Sequence, residues 1–304
     1  MKLGKKYVLE DVVKKIPNVL RVFGGNSDME INSVASISEA SEGSLTWIRA
    51  GHPKTIELAK ATNASLIICQ QGQYYFEELS TPRKCFVLTT DSKLGIIILL
   101  NNIVEIAKRV SVNSRISKNA SLGSGLTIGS GSILGNVILG NNVSIGNNVS
   151  ISDNVKIGDN VVIHSNVVIG EPGFNYAVDS NGIPHSFPHI GGCEIMSNCE
   201  IGSNSFISSG VLGPTIIQEH VKIGQFVYIG ANVKVGKYSQ IRTRASIMGS
   251  AVIGSRVIIA PSATIRDEVI IGNNVLIGMG AVVTKSISEN QTAIGFPAKI
   301  IRPN

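Results

Sequence analysis

The sequence predicts a mainly β fold, a parallel β-helix behind a small α/β domain, on three observations. From Val110 onward an aliphatic residue returns every six positions, a small apolar residue often stands two positions before it, and a glycine often follows it. The first series runs Val110, Ile116, Leu122, Ile128, Leu134 and, after a slip of one residue, Leu139, Ile145, Ile151, Ile157, Ile163, Ile169. The second runs Ile195, Ile201, Ile207 and then twelve unbroken members from Ile217 to Val283. Val143, Val149, Val155, Val161 and Val167 share the inward side with them, as strand alternation requires. Gly140, Gly146, Gly158 and Gly202 mark corners at which positive φ is expected. Short strand, corner, short strand is a hexapeptide β-helix, and with three hexapeptides to a coil, residues 18 apart stack about 4.8 Å apart.

Composition agrees. Of 304 residues, 43% are apolar but only 5% aromatic, and 32 are glycine, which describes a core of small branched side chains and many turns. The longest apolar run, Ile96 to Leu100, is far short of the roughly 20 residues a bilayer needs. The opening MKLGKKYVLEDVVKK has no apolar signal region, so a cytoplasmic protein is expected. The net charge of +6 is uneven: residues 215 to 304 hold 10 Lys/Arg against 4 Asp/Glu. No consecutive basic run accompanies it, so a nucleic-acid stripe is not expected, whereas a compact site for a phosphorylated small ligand fits. Cys69, Cys85, Cys193 and Cys199 form no C-x-x-C pair and read as buried free thiols, with Cys193 and Cys199 on different faces of a coil.

Two interruptions break the repeat. Residues 171–194, EPGFNYAVDSNGIPHSFPHIGGCE, gather Phe174, Tyr176, His185, Phe187 and His189 among glycines and prolines that oppose a regular strand, and form a loop expected to carry function. Residues 208–216 lengthen one coil by four and read as a surface bulge. Residues 1–109 lack the period and read as an α/β unit. Helices are expected near 9–16, 53–61 and 93–106, with strands near 31–37, 44–48, 65–69 and 85–89. The expected organisation is an α/β nucleotide-binding domain over 1–109, the β-helix over 110–290 and a short tail over 291–304.

The order of these pieces resembles the UDP-3-O-acyl-glucosamine N-acyltransferases of lipid A synthesis. INSVASISEASEGSLTWIRAGHPK is similar to that family's nucleotide-binding domain, IGEPGFNYAVDSNG to its loop, and VKIGQFVYIGANVKVG to the coil that carries its catalytic histidine. The resemblance implies a left-handed parallel β-helix and active sites between the columns of a homotrimer. The chain departs from the family where it has Gly230, Ala231, Asn232 in place of Ala-His-Asn, so the expected general base is absent. It also has His52, Pro53, Lys54, Thr55 where the family has Asn-Pro-Lys-Tyr. Its tail around AIGFPAKIIRPN resembles that of CoA-dependent sugar acetyltransferases and lacks the helical extension that holds acyl carrier protein.

The expectation is therefore an N-acyltransferase moving an acyl group from acyl-CoA to the amine of a dTDP- or UDP-linked amino-deoxy sugar, with no metal. The alternatives are the lipid A enzyme itself, using acyl carrier protein, and a sugar O-acyltransferase. Attack of an amine on a thioester needs a place for the proton and donors for the oxyanion. Candidate bases are His189, His185, His164 and Glu171, and Gly249 aligns with the family's oxyanion N–H, one coil above Ala231. Trp47 is the candidate for stacking on a pyrimidine, with Phe174, Tyr176 and Asn232 near the substrate. Arg242, Arg244, Arg256, Gly280 and Lys285 are the candidate CoA contacts.

Overall fold

The computed structural model describes residues 2–48, 50–51, 53–71, 76–103 and 113–303; Val110, His52 and the predicted helix beyond Ile103 lie outside them. The chain forms two compact units, Met1–Ala107 and Lys108–Asn304.

In the first unit the elements run β1 (Lys2–Val8), α1 (Leu9–Val13), β2 (Val19–Phe23), β3 (Glu30–Val34), β4 (Ser44–Trp47), α2 (Thr55–Ala61), β5 (Leu66–Gln70), β6 (Cys85–Thr89) and α3 (Ser92–Ile103). They build one sheet in the order β1, β3, β4, β5, β6, β2. β3 to β6 pair in parallel, while β1 and β2 are antiparallel edges. β5 is buried on both sides: Leu66 and Ile68 belong to one apolar cluster, Ile67 and Cys69 to the other. Continuous apolar runs are what a covered parallel strand needs. The sequence reading missed β1 and β2, whose charged and exposed residues give no clean alternation; Leu20 and Val22 of β2 face solvent.

The second unit is a parallel β-helix with three faces, of nine, eight and ten strands among the described residues. The first face runs from Arg115–Ile116 to Val282–Val283, the second from Ser121–Leu122 to Ile270–Ile271, and the third begins at Thr127–Ile128 and ends on the antiparallel pair Gln291–Ile294 and Lys299–Pro303. Register confirms the 18-residue coil: Ile229 pairs with Ile247, and Ile247 with Ile265. Stacked aliphatics fill a single core in which Ile229, Ile247 and Ile265 are fully buried. In the first described coil Leu122 is exposed.

The corners correct one expectation. Positive φ falls three positions after the inward aliphatic rather than at the glycine that follows it. Asn142, Asn148, Asn154, Asn160, Asn166, Asn198 and Asn204 hold φ between 55 and 63°. Asparagine tolerates this region because its short amide bonds locally. The glycines serve close approach instead: a Cβ on Gly158 would lie 2.7 Å from the Ser197 nitrogen, and one on Gly230 2.7 Å from the Gly249 nitrogen. Gly170, with φ of 89°, is an exception. From His220 on, other residues replace asparagine at all three corners, Ser250 and Glu268 among them. His220, Tyr238 and Arg256 stack at the corner between the second and third faces, with the two rings 5.0 Å apart and the guanidinium 5.5 Å from the tyrosine centroid. Phe226 and Arg244 stand at the corner between the third and first, 5.9 Å apart.

All four cysteines are free and buried; Cys193 opens a strand of the second face, and Cys199 stands just before a strand of the third. Burial raises every thiol, Cys85 and Cys193 to about 12 and Cys199 to about 11, with Cys69 pushed up further. The native protein is expected to release no thiol colour with a disulfide reagent at pH 8 and four equivalents after denaturation. One fast-reacting native thiol would refute this. Because the folded values are raised, the thiols contribute stability below the ordinary thiol range, and it is lost as pH climbs from there toward about 12.

Candidate active site

The corner between the first and second faces is where the chain departs from regularity. Register places Glu171, Ser209, Ala231, Gly249, Asp267 and Lys285 in one column there, each two positions after an inward residue of the first face. Backbone bonds join successive coils along it: Ser209 N–H donates to the Glu171 carbonyl at 2.9 Å, and Ser250 N–H to the Ala231 carbonyl at 2.8 Å. Outside Gly249 there is room. Among the described residues other than its chain neighbours, the sole atom within 4 Å of a Cβ built on it is the Ala231 oxygen, at 3.4 Å, and its N–H meets no acceptor.

Both interruptions leave from this corner. The 171–194 loop contains a short hairpin, Tyr176–Val178 against Pro184–Ser186, where no strand was expected. Asp179 makes its turn by accepting from the N–H groups of Asn181 and Ile183. The extended coil at 208–216 is no loose bulge. Asn232 anchors it, accepting from Val211 N–H at 3.0 Å and donating to the Gly213 carbonyl at 2.8 Å, while its own N–H donates to the Thr215 hydroxyl at 2.9 Å. Its amide is thereby committed to the scaffold, in contrast to the substrate contact expected of it.

The four candidate bases do not converge. His164 lies on the third face, 3.0 Å from Glu200, whose other oxygen is 3.7 Å from Lys222. His185 sits in the exposed hairpin and pairs with Asp179 at 3.0 Å. That hydrogen bond, with the two backbone N–H groups, holds the Asp179 carboxyl below the usual carboxylate range. Glu171 stays at the loop's foot, accepting from the Ser152 hydroxyl at 2.6 Å.

His189 is different. Its Nδ1 is 2.8 Å from the Phe187 carbonyl, which can only accept, so Nδ1 carries a hydrogen and, whenever the ring is neutral, Nε2 holds the lone pair. Nε2 is buried without a partner among the described residues, and so is the hydroxyl of fully buried Ser208. The two meet at Gly173: a Cβ there would lie 3.2 Å from Ser208 Oγ and 3.5 Å from His189 Nε2. Ser208 stacks one coil below Gly230, beside Ala231. Two unsatisfied buried polar atoms are costly, and such groups call for an explanation at a functional site. Sequence reasoning missed Ser208; its signal was a serine where Gly170 and Gly230 fill the equivalent positions.

The remaining candidates scatter. Phe174 is 90% exposed and packs its ring on Tyr176, 4.9 Å away. Arg242, Arg244 and Gly280 share the corner between the third and first faces, Arg256 is on the next corner against Tyr238, and Lys285 tops the Gly249 column. Within one chain these candidate donor contacts therefore stand at three separate corners. In the first unit, half-buried Trp47 lines a cavity of about 570 Å³ with Lys93 and mostly aliphatic side chains. Among the described residues no group of three His, Cys, Asp or Glu is placed to hold a metal ion, and no helix is long and apolar enough to cross a membrane.

Residues 136–171 and 250–285 match the bacterial transferase hexapeptide family (six repeats). The chain is a hexapeptide-repeat β-helix protein that resembles the UDP-3-O-acylglucosamine N-acyltransferases. It is 41% identical over 64 residues to UDP-3-O-acylglucosamine N-acyltransferase 2 of Legionella pneumophila (strain Paris), covering 21% of this chain and 18% of that one. Over 64 residues it is 44% identical to the UDP-3-O-acylglucosamine N-acyltransferase of Helicobacter pylori (strain ATCC 700392 / 26695), covering 21% and 19%. The matched stretch thus spans under a fifth of these relatives. Among solved structures, UDP-N-acetylglucosamine O-acyltransferase from Moraxella catarrhalis RH4 superposes with a TM-score of 0.58 at 24% identity, over 64% of this chain and 74% of that one. UDP-N-acetylglucosamine acyltransferase from Campylobacter jejuni gives 0.59 at 22% identity, over 64% and 75%. At these identities the likeness is one of fold.

Proposed function

We propose that this protein is an N-acyltransferase that moves an acyl group from acyl-CoA to the amine of a nucleotide-linked amino-deoxy sugar. The observation that carries this is the corner column, in which an open Gly249 N–H stacks over Ala231 with the unpartnered His189 Nε2 one coil below. The neutral amine attacks the thioester carbonyl carbon from the level of Ala231. A C–N bond forms, and the carbonyl oxygen becomes an oxyanion that accepts from Gly249 N–H. Collapse breaks the C–S bond and releases CoA thiolate. The nitrogen's excess proton goes to His189 Nε2 once the substrate displaces the Gly173 peptide that covers it, with the Ser208 hydroxyl beside the path. Lys285, two coils above Gly249, is placed for the donor's phosphates, as a charge-assisted contact. A corner has no opposite wall, so a second copy supplies one in a homotrimer.

The 41–44% identity to lipid A enzymes favours a second reading, UDP-3-O-acylglucosamine N-acylation from acyl carrier protein. Thiol release from short acyl-CoAs, assayed with dTDP- and UDP-amino sugars and with their hydroxyl analogues, tests the choice. Turnover with the amino sugars alone, weakening with added salt, is expected. Acylation from carrier protein but not from acyl-CoA of the same chain would overturn the proposal in favour of the second reading. Equal use of the hydroxyl analogue would make it an O-acyltransferase.

A further inference from the structure

Asn232 follows Ala231 in the chain, one coil above the extension at 208–216, and its corner does not require an asparagine. It holds φ of 60°, but at the same corner Ser250 and Glu268, one and two coils further on, hold 58° and 59°. What sets Asn232 apart is the amide. Its Oδ1 accepts from Val211 N–H and its Nδ2 donates to the Gly213 carbonyl, so one half-buried side chain bonds the extension on both sides of Leu212. An N–H can only donate and a carbonyl only accept, which fixes the orientation of the amide.

The extension in turn holds the loop that carries His189. Ile190 N–H donates to the Val211 carbonyl at 2.8 Å, Gly191 N–H to the Gly210 carbonyl at 2.9 Å, and Gly210 N–H to the Gly192 carbonyl at 2.9 Å. Buried Ser209 adds a side-chain bond, its Oγ accepting from Gly192 N–H at 3.0 Å. A single residue thus links Asn232 to the neighbour of His189: Val211 gives its N–H to the first and accepts at its carbonyl from Ile190. The imidazole is bonded through Nδ1 to the Phe187 carbonyl of its own loop, so the ring goes where that backbone goes.

We infer that Asn232 is the positioning residue for His189, and that through Val211 it sets where Nε2 lies against Gly173 and Ser208. Its effect on rate rests on the reading of His189 as the proton acceptor; its effect on the ring does not. Because a misplacement of about 1 Å in a reacting group costs up to roughly 10²-fold, the amide of Asn232 acts on the reaction without touching the substrate.

The test is Asn232→Ser, since serine already occupies this corner at nearly the same φ in the next coil. The full chain is labelled with isotopic histidine, and the ring nitrogens of its five histidines are followed by NMR at mildly alkaline pH, His189 being assigned by its loss in His189→Gln. In Asn232→Ser the His189 ring is expected to leave the Nδ1–H form for the tautomer mixture of a solvated imidazole, while the signals of the other histidines stay and report an intact fold. In the acyl-transfer assay kcat is expected to fall by roughly ten-fold to 10²-fold with KM for both substrates within a few-fold. The double variant Asn232→Ser/His189→Gln is expected to be no slower than His189→Gln alone, because both changes remove one function. An unchanged His189 signal would overturn the inference, and so would losses that multiply in the double variant or a wild-type kcat in Asn232→Ser when His189→Gln is slow. A shifted ring signal with wild-type kcat in both single variants would uphold the positioning and overturn the proton-acceptor reading instead.

Discussion

His189→Gln is expected to lower kcat by about 10²-fold to 10⁴-fold while leaving KM for both substrates within a few-fold, because glutamine keeps size and polarity but accepts no proton. His185→Gln and His164→Gln are expected to stay near wild type: one side chain closes a hairpin turn and the other bonds Glu200 on a different face. Ser208→Ala is expected to cost less, about ten-fold, since it removes a neighbour of the proton's path and not its acceptor. His189→Ala should regain part of its rate when free imidazole is added, an effect that a purely structural role would not produce. Wild-type kcat in His189→Gln, with circular dichroism unchanged, would remove His189 from the chemistry and leave the amine to lose its proton to solvent or to the departing thiolate.

The second large effect is on stability. Ile247 is fully buried, stacked between Ile229 and Ile265 in the middle of the column. Ile247→Asp forces either an unpaired carboxylate or its proton into that stack, and a loss of about 4 kcal/mol or more is expected. The loss should be local in an instructive way. Each coil touches only its neighbours, so stability is close to a sum of coil and interface terms, and the coils on either side of residue 247 should open before those near residue 150. Hydrogen exchange followed by mass spectrometry reads this directly. Uniform loss of protection across residues 113–303 would show that the β-helix melts as one block. The first unit has its own apolar clusters and is expected to keep its transition.

The β-helix was legible because its inward positions repeat without exception from Ile217 to Val283, and burial, the strongest single force on sequence, acts at every one. The corner glycines were misread for a physical reason. Lack of a Cβ permits positive φ and also permits close approach, and the sequence does not say which is in use. The edge strands β1 and β2 were lost because an edge is half solvated and keeps its charges. In the site, the period itself could have separated the arginines. Arg244 and Gly280 differ by two coils and share a corner, as do Gly249 and Lys285, but Arg256 is out of phase with both pairs. What the period could not do was cross the irregular loop. His189 and Ser208 are brought to Gly173 by a loop closure with no register to count through, which is why the histidine appeared among four equals and the serine not at all.

The corner residues have a consequence for how such a protein changes over time. Each left-handed corner projects its side chain away from the packed interior, at a fixed pitch along the column, so replacing Asn with His, Phe, Tyr or Arg alters the outside and leaves the inward stack as it was. The strain is modest, on the order of 1–2 kcal/mol for a residue other than glycine or asparagine, and it is spread over many coils. The fold therefore keeps two separate ledgers of heritable variation. Inward positions are confined to a narrow set of aliphatics, while corners are open to nearly any side chain. New recognition surfaces can arise there one residue at a time, without a period in which the molecule fails to fold.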